Sequence, residues 1–319
     1  MTTSMRVVIT GAGGFIPRAI VAAALKHGMQ VLAIDLAFDP SLTAGWSAFG
    51  DQIRWIEGST EALPSEHYDA IVHGAAITAS PEERGESPEE NLRANVLPTL
   101  NVLEWASRYA GRAIVMSSSG IFRATHGPVS EDERPTPAGT YAVAKAFTEA
   151  YITTLKEQYG RDVACIRLSN IYGPEEQPRA SRPRISLVGR YIQQALTTGK
   201  IDVALPGETR DWTFAPDVAE VITQMICGPL PPHALYNVAA AQVVTNLQIA
   251  SAVQAALPAI DIQAHDQAQA DVPPLTRRGW LTNDRLRADY GFDAWTPLDA
   301  GIRQCIEQMQ FFLTGAQHS

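Results

Sequence analysis

A doubly wound parallel α/β sheet with a smaller C-terminal lobe is the fold class this sequence predicts, on three observations. Short apolar runs rich in β-branched residues alternate with longer segments of helical period as far as Asn170. The runs are apolar along their whole length, as strands buried on both faces of a parallel sheet must be. A glycine-rich turn joins the first run to the first helical segment, which is the arrangement that gives a Rossmann-type sheet its ligand crevice.

The elements follow in order. "RVVIT" (6–10) reads as the first strand and "AIVAAALKHG" (19–28) as the helix after it. "QVLAID" (30–35), "IRWIEG" (53–58) and "AIVHGAA" (70–76) are the next strands. A helical stretch ending near Arg108 leads to "AIVMSSS" (113–119), then to a helix carrying "YAVAK" (141–145), then to "VACIRLS" (163–169). Beyond Asn170 the regularity breaks, because "PEEQPRASRPR" (174–184) is too rich in Pro and Arg to continue a helix or a central strand. The rest mixes short helices such as 187–199 with single strands such as "LYNVA" (235–239). The expected division is a dinucleotide-binding domain over 1–170, rejoined by residues roughly 200–240, and a partly interwoven substrate-binding lobe over 171–319.

Composition narrows the function classes. A chain of 319 residues, 45% apolar and 18% charged, is of the ordinary soluble globular kind. Its net charge of −9 argues against nucleic-acid binding, which needs clustered Lys and Arg. The cysteines Cys165, Cys227 and Cys305 are far apart and lack metal-ligand spacing, so they are expected reduced and buried, with no metal site. No cationic leader and no long apolar run is present, and a cytoplasmic location is expected.

In "VVITGAGGFIP" (7–17), Gly11 can take the tight turn, while Gly13 and Gly14 let the backbone approach a pyrophosphate. The following helix, from Phe15 and Ile16 on, offers N–H groups and the positive end of its dipole. Asp35 ends the second strand, 24 positions after Gly11, where a carboxylate can accept from an adenosine ribose diol and repel a 2′-phosphate. No Arg or Lys follows in "DLAF", so NAD is favoured over NADP. Pro17 departs from the third-glycine pattern, but proline is tolerated in a first helical turn and should only shift helix packing slightly.

Tyr141 and Lys145 are i and i+4 and share one helix face. Alone, that pair is either a catalytic couple or two residues on a solvated face. The remaining motifs decide. In order along nearly the whole chain, "TGAGGFI", Asp35, "HGAA" (73–76), "NVLPTLNVLE" (95–104), "SSSGIF" (117–122), "YAVAK", "RLSNIYGP" (167–174) and "RDWTFAPDVA" (210–219) resemble the extended short-chain dehydrogenase/reductase family, which includes the nucleotide-sugar epimerases and dehydratases.

The resemblance implies an NAD-dependent enzyme that moves a hydride from a secondary alcohol. Tyr141 as phenolate would take the alcohol proton. A phenol holds its proton to about pH 10, so a neighbouring cation is needed. Lys145 and the oxidised nicotinamide would supply that charge, and Lys145 would also bond the nicotinamide ribose. Three serines compete to hydrogen-bond the same substrate oxygen. The family spacing before Ile121-Phe122 selects Ser118, with Ser119 second. The alternative is a polar strand end satisfied by backbone. Asn95 would brace strand and helix near the site, or be a helix-interior Asn bonded to main chain. Ala75 and Ala76 would line the cofactor groove. Gly74 is unusual there and is expected to loosen that wall, and Ser59 stands where relatives carry an acid that contacts adenine.

Dehydratases of the family carry an Asp-Glu pair after the catalytic hydroxyl, whereas Ser119-Gly120 follows here, so dehydration is disfavoured. Asn170 and Arg210 match two parts of the family's substrate-diphosphate clamp. The later arginine is missing from "HDQAQADVPP" (265–274), with Arg277 and Arg278 coming late. Arg179, Arg182, Arg184 and Arg190 are guanidinium forks suited to a carboxylate or phosphate, or else solvated loop charges. The leading expectation is a dehydrogenase of an anionic sugar or sugar acid. Behind it stand a nucleoside-diphosphate-sugar 4-epimerase with tightly bound NAD and, more remotely, a non-catalytic NAD-binding sensor. Relatives dimerise through the YxxxK helix and the helix before it, which makes a homodimer the expected assembly.

Overall fold

The computed structural model describes residues 4–123, 127–266 and 279–315. β1 (Arg6–Thr10), α1 (Phe15–Lys26), β2 (Gln30–Asp35), α2 (Pro40–Trp46), β3 (Ile53–Glu57), β4 (Tyr68–His73), α3 (Pro81–Arg84), α4 (Pro88–Tyr109) and β5 (Ala110–Ser118) alternate as expected. They are followed by α5 (Thr140–Tyr159) and β6 (Val163–Leu168). The strand around His73 stops there and does not run to Ala76, which frees Gly74 to Ala76 to turn toward the crevice.

Six of these strands and the later β10 (Leu235–Val238) form one parallel sheet in the order β10-β6-β5-β4-β1-β2-β3. Strand order reverses between β1 and β4, the position at which open α/β sheets bind ligands beyond their carboxyl ends. Alternate side chains feed two cores, as the period of two requires. Val7, Ile9, Ile114 and Met116 pack with α1 and with α7 (Ala215–Cys227), while Val8, Ala113 and Val115 pack with α4 and α5. Each fully buried aliphatic side chain of this kind contributes about 1.5–3 kcal/mol relative to exposure.

β7 (Asn170–Tyr172), α6 (Leu187–Thr198), β8 (Lys200–Ala204), β9 (Thr209–Phe214), β11 (Gln242–Thr245), α8 (Asn246–Ala256), β12 (Asp261–His265), α9 (Asp284–Tyr290) and α10 (Leu298–Gly315) complete the chain. Within them lie a three-stranded sheet, β11-β9-β7, and a two-stranded one, β12-β8. Of residues 200–240, α7 and β10 therefore lie with the large sheet, and β8 and β9 do not. Tyr172, Val188, Ile192, Trp212, Ile249 and Ile302 share a separate apolar core.

Helix ends obey local chemistry. Ser87 and Glu90 form a capping box at the start of α4, and α5 ends at Gly160 in the left-handed conformation. Cys165 and Cys305 are buried thiols, but Cys227 is exposed at the end of α7, contrary to expectation. Among the described residues no helix is long and apolar enough to cross a membrane.

Candidate active site

β1 runs into Gly11, whose φ of +69° favours glycine. A Cβ there would stand 2.6 Å from the backbone of Ala75, so only glycine lets the chain after β4 come this close. The Gly14 N–H donates to the Gly11 carbonyl at 2.7 Å, and Gly14 begins α1 without a side-chain cap. The first N–H groups of α1 lack intrahelical acceptors and point with the positive dipole end into the crevice, which Phe15 and Ile16 line.

Gly13 has a different task. Its N–H donates to Asp35 Oδ2 at 2.9 Å, and a Cβ on it would meet that oxygen and the Arg179 guanidinium, each at 3.0 Å. The other carboxylate oxygen of Asp35 accepts from the Leu36 N–H at 2.7 Å. Burial raises the Asp35 carboxyl above its ordinary range, against these bonds and the Arg179 charge. A glycine cradle, a helix start and a carboxylate closing β2 together fit a dinucleotide.

The expected loosening of the wall at Gly74 is absent. A Cβ on residue 74 would lie 2.5 Å from Cγ of Pro17 and 2.9 Å from Sδ of Met116. The proline ring fills the space that the missing methyl leaves, so the two departures from the family pattern are one exchange of volume. Ala75 packs beneath Gly11, and Ala76 lines the cavity. Ser59 is exposed and accepts from the Glu61 N–H at 3.2 Å, capping the short turn Thr60–Ala62. Asn95 lies behind the wall. Its amide exchanges two hydrogen bonds with the backbone of Ile77, at 2.9 and 3.1 Å, and donates to the Asn91 carbonyl at 3.1 Å.

Tyr141 and Lys145, in the first two turns of α5, both line a cavity of about 490 Å³ at the carboxyl ends of β1, β4 and β5. Lys145 Nζ stands 5.8 Å from the centre of the Tyr141 ring and donates to the Met116 carbonyl at 2.7 Å. Burial pushes the Lys145 ammonium down to about 8, with Glu149 acting in the opposite direction. His73 sits at the end of β4 between the hydroxyls of Thr10, at 2.7 Å, and Thr99, at 3.2 Å. Burial and the Lys145 charge push His73 down to about 3, so its ring is neutral.

The three serines part ways here. Ser117 donates to Glu149 Oε1 at 2.6 Å, and Glu149 is locked to Arg167 by a buried ion pair of 2.7 Å. Ser119, the second candidate, is buried in the turn Ser119–Ile121 and does not line the cavity. Ser118 does line it, and its Oγ accepts from the Gly120 N–H at 3.0 Å, which leaves the hydroxyl proton to donate.

The opposite wall comes from β7, β9, α6 and residues 174–186. Asn170 and Arg210 line the cavity, with the Asn170 amide donating to the Asp211 carbonyl at 3.0 Å and Arg210 3.8 Å from Glu208. Sequence reasoning gave Arg179 and Arg182 to a substrate anion; both line this cavity, and both are engaged by protein groups. Arg179 donates to the carbonyls of Gly13 and Ala37, beside Asp35. Arg182 is paired with Glu176 and lies 5.1 Å over the Phe15 ring. Arg184 pairs with Glu83 at 2.7 Å. Arg190 remains a half-buried cation on the cavity wall, with no side-chain partner among the described residues. Trp212, which the motif reading passed over, lines the same wall, and its indole N–H is buried with no hydrogen-bond partner among the described residues. Arg277 and Arg278 lie outside the described residues.

Comparison with known proteins identifies the family. Residues 7–239 match the model of the NAD dependent epimerase/dehydratase family. The chain is 26% identical over 317 residues to the UDP-glucose 4-epimerase of Mycolicibacterium smegmatis, covering 95% of this chain and 98% of that one. It is 25% identical over 321 residues to the dTDP-glucose 4,6-dehydratase of Streptomyces niveus, covering 95% and 92%. The crystal structure of the UDP-glucose 4-epimerase of Thermotoga maritima, with UDP-glucose, superposes with a TM-score of 0.78 over 97% of this chain and 100% of that one, at 20% identity, a likeness of fold. With the glycine cradle, Asp35 and the YxxxK helix in place, the chain belongs to the NAD-dependent epimerase/dehydratase family, enzymes of the extended short-chain dehydrogenase/reductase group whose cofactor is NAD.

Proposed function

We propose that this chain is a nucleoside-diphosphate-sugar epimerase that oxidises a secondary alcohol of the sugar and reduces the resulting ketone on its other face. One observation carries the reading: Ser118, Tyr141 and Lys145 share a single cavity with Asn170, Arg190 and Arg210. Bound NAD supplies a two-electron acceptor that returns what it takes. Tyr141 accepts the alcohol proton as the carbon is oxidised and gives it back in the reverse step. Lys145, anchored on the Met116 carbonyl, holds positive charge beside the phenol and favours its ionised form. Ser118 donates its free hydroxyl proton to the same substrate oxygen, which steadies the charge that develops there. Asn95 and Ser59 hold the groove's backbone.

The lobe wall moves the substrate away from a small sugar acid. Three of the four arginines that suggested one are held by Gly13 and Ala37, by Glu176 and by Glu83. Those three still line the cavity, but it is Arg190 and Arg210 beside them that suit a diphosphate. No Asp-Glu pair follows Ser118, and the elimination of a dehydratase lacks its acid. Exposed Leu97, Val143 and Phe147 on the packed pair α4 and α5 support association of two copies through that face.

The test is incubation with NAD and UDP-glucose, following product and reduced cofactor together. The expected result is the C4 epimer with no lasting reduced nicotinamide. Lasting reduced nicotinamide in step with product would instead establish net dehydrogenation, and turnover of free sugar acids alone would remove the diphosphate from the account.

A further inference from the structure

We propose that residues 174–186 are a latch that closes over the dinucleotide crevice and retains NAD between turnovers. The segment leaves β7, crosses the point where strand order reverses between β1 and β4, and enters α6. Its tip is a tight turn in which Arg179 and Arg182 exchange backbone hydrogen bonds of 2.9 Å. The tip is tethered to both banks. On the β4 bank, the Ser181 carbonyl accepts from the N–H groups of Thr78 at 2.9 Å and Ala79 at 3.2 Å. On the β1–β2 bank, the Arg179 guanidinium donates to the carbonyls of Gly13 and Ala37 and stands 3.9 Å from the Asp35 carboxylate.

The base is fixed independently. Buried Glu176 accepts from the Ser186 N–H at 2.8 Å and the Ser186 hydroxyl at 2.6 Å, which anchors the stem, while Arg182 ties the tip to that same carboxylate as the pivot about which it lifts. Arg179 is thereby a cofactor-side residue. Its cation reaches the ribose-binding carboxylate and the glycine turn from a distant part of the chain, where the residues after Asp35 offer none. A dinucleotide between the two banks can leave only after the Arg179 and Ser181 tethers open. This deepens the epimerase reading and rests on it: an enzyme that gives its hydride back has no need to exchange cofactor at each turnover.

The test uses the NAD-loaded protein. Release of NAD into an excess of a second NAD-consuming enzyme is timed for wild type, Arg179→Ala and Arg179→Lys. Loss of charge-assisted hydrogen bonds should speed release about tenfold or more in Arg179→Ala, with Arg179→Lys between. An unchanged release rate in a folded Arg179→Ala protein overturns the latch. Wild type gives an independent reading: saturating NAD should slow tryptic cleavage at Arg179–Ala180, and cleavage indifferent to NAD overturns the proposal. Rapid NAD release with intact epimerisation would remove the latch and leave the function standing. Firm NAD retention without epimerisation would do the reverse.

Discussion

The sheet-side floor and the lobe-side wall of the cavity are built by different means. On the floor, each group is placed by the local backbone: Gly11 by a left-handed turn, Ser118 by the end of β5, Tyr141 and Lys145 by the period of α5. On the wall, two of the arginines of residues 174–186 are placed by partners far away in sequence, Arg179 by Gly13 and Ala37 and Arg184 by Glu83, and Arg182 by Glu176 within the segment. Under the proposed function the floor serves as rigid machinery for proton movement, and under the proposed latch the wall serves as an arrangement of separable tethers. Chemistry should fail when the floor is altered, and retention or affinity should change when the wall is.

The largest effect expected is on the floor. Tyr141→Phe should lower kcat by about 10²–10⁴ while NAD still binds, because only the proton-transferring hydroxyl is lost. Equal loss of NAD binding would mean the ring holds the fold of the groove rather than the reacting proton.

Next comes the volume exchange between α1 and the chain after β4. Gly74→Ala should destabilise by about 1–3 kcal/mol, since the added methyl meets the Pro17 ring, and the Pro17→Gly, Gly74→Ala double variant should recover most of it. Additive effects in denaturant unfolding would show that the two residues do not share one space.

One contribution to the pH dependence comes from His73, opposed by buried Asp211, whose carboxyl burial raises to about 7. Its folded-state value of about 3 lies below its unfolded value, so between about pH 3 and 6.5 the unfolded chain binds the extra proton. Stability therefore falls on acidification through that window, by about 1.4 kcal/mol per pH unit from this residue. His73→Asn should flatten the slope relative to wild type in unfolding titrations, and an unaltered slope would place the acid sensitivity elsewhere. The smallest effect belongs to the wall. Arg184→Ala breaks a pair in which Arg184 is more than half exposed, and should alter stability by less than about 1 kcal/mol.

Much of the floor was legible because it is local. Gly11 and Asp35 are fixed by spacing along one βαβ unit, and Tyr141 and Lys145 by a single helical turn, so a linear reading can pair them. The strands were legible because apolar runs mark a sheet buried on both faces. Pro17 and Gly74 each looked like a departure from pattern, since the volume they share is visible only when β4 lies beside β1. The partners of Arg179 escape a linear reading for the same reason: a charge in a Pro-rich loop carries no record of which carbonyl it will reach. Among Ser117, Ser118 and Ser119, the family spacing selects Ser118, while the hydroxyls' partners, Glu149 for Ser117 and the Gly120 N–H for Ser118, are visible only in the fold.

The account stands on hydride return at one carbon beside Tyr141, and an isotope follows that carbon most directly. With UDP-glucose deuterated at C4, the epimerised product should keep deuterium at that same carbon, in ordinary water and without uptake of solvent protium there. Washout of the label into solvent would contradict the account, because the carbon would then have lost a proton rather than a hydride.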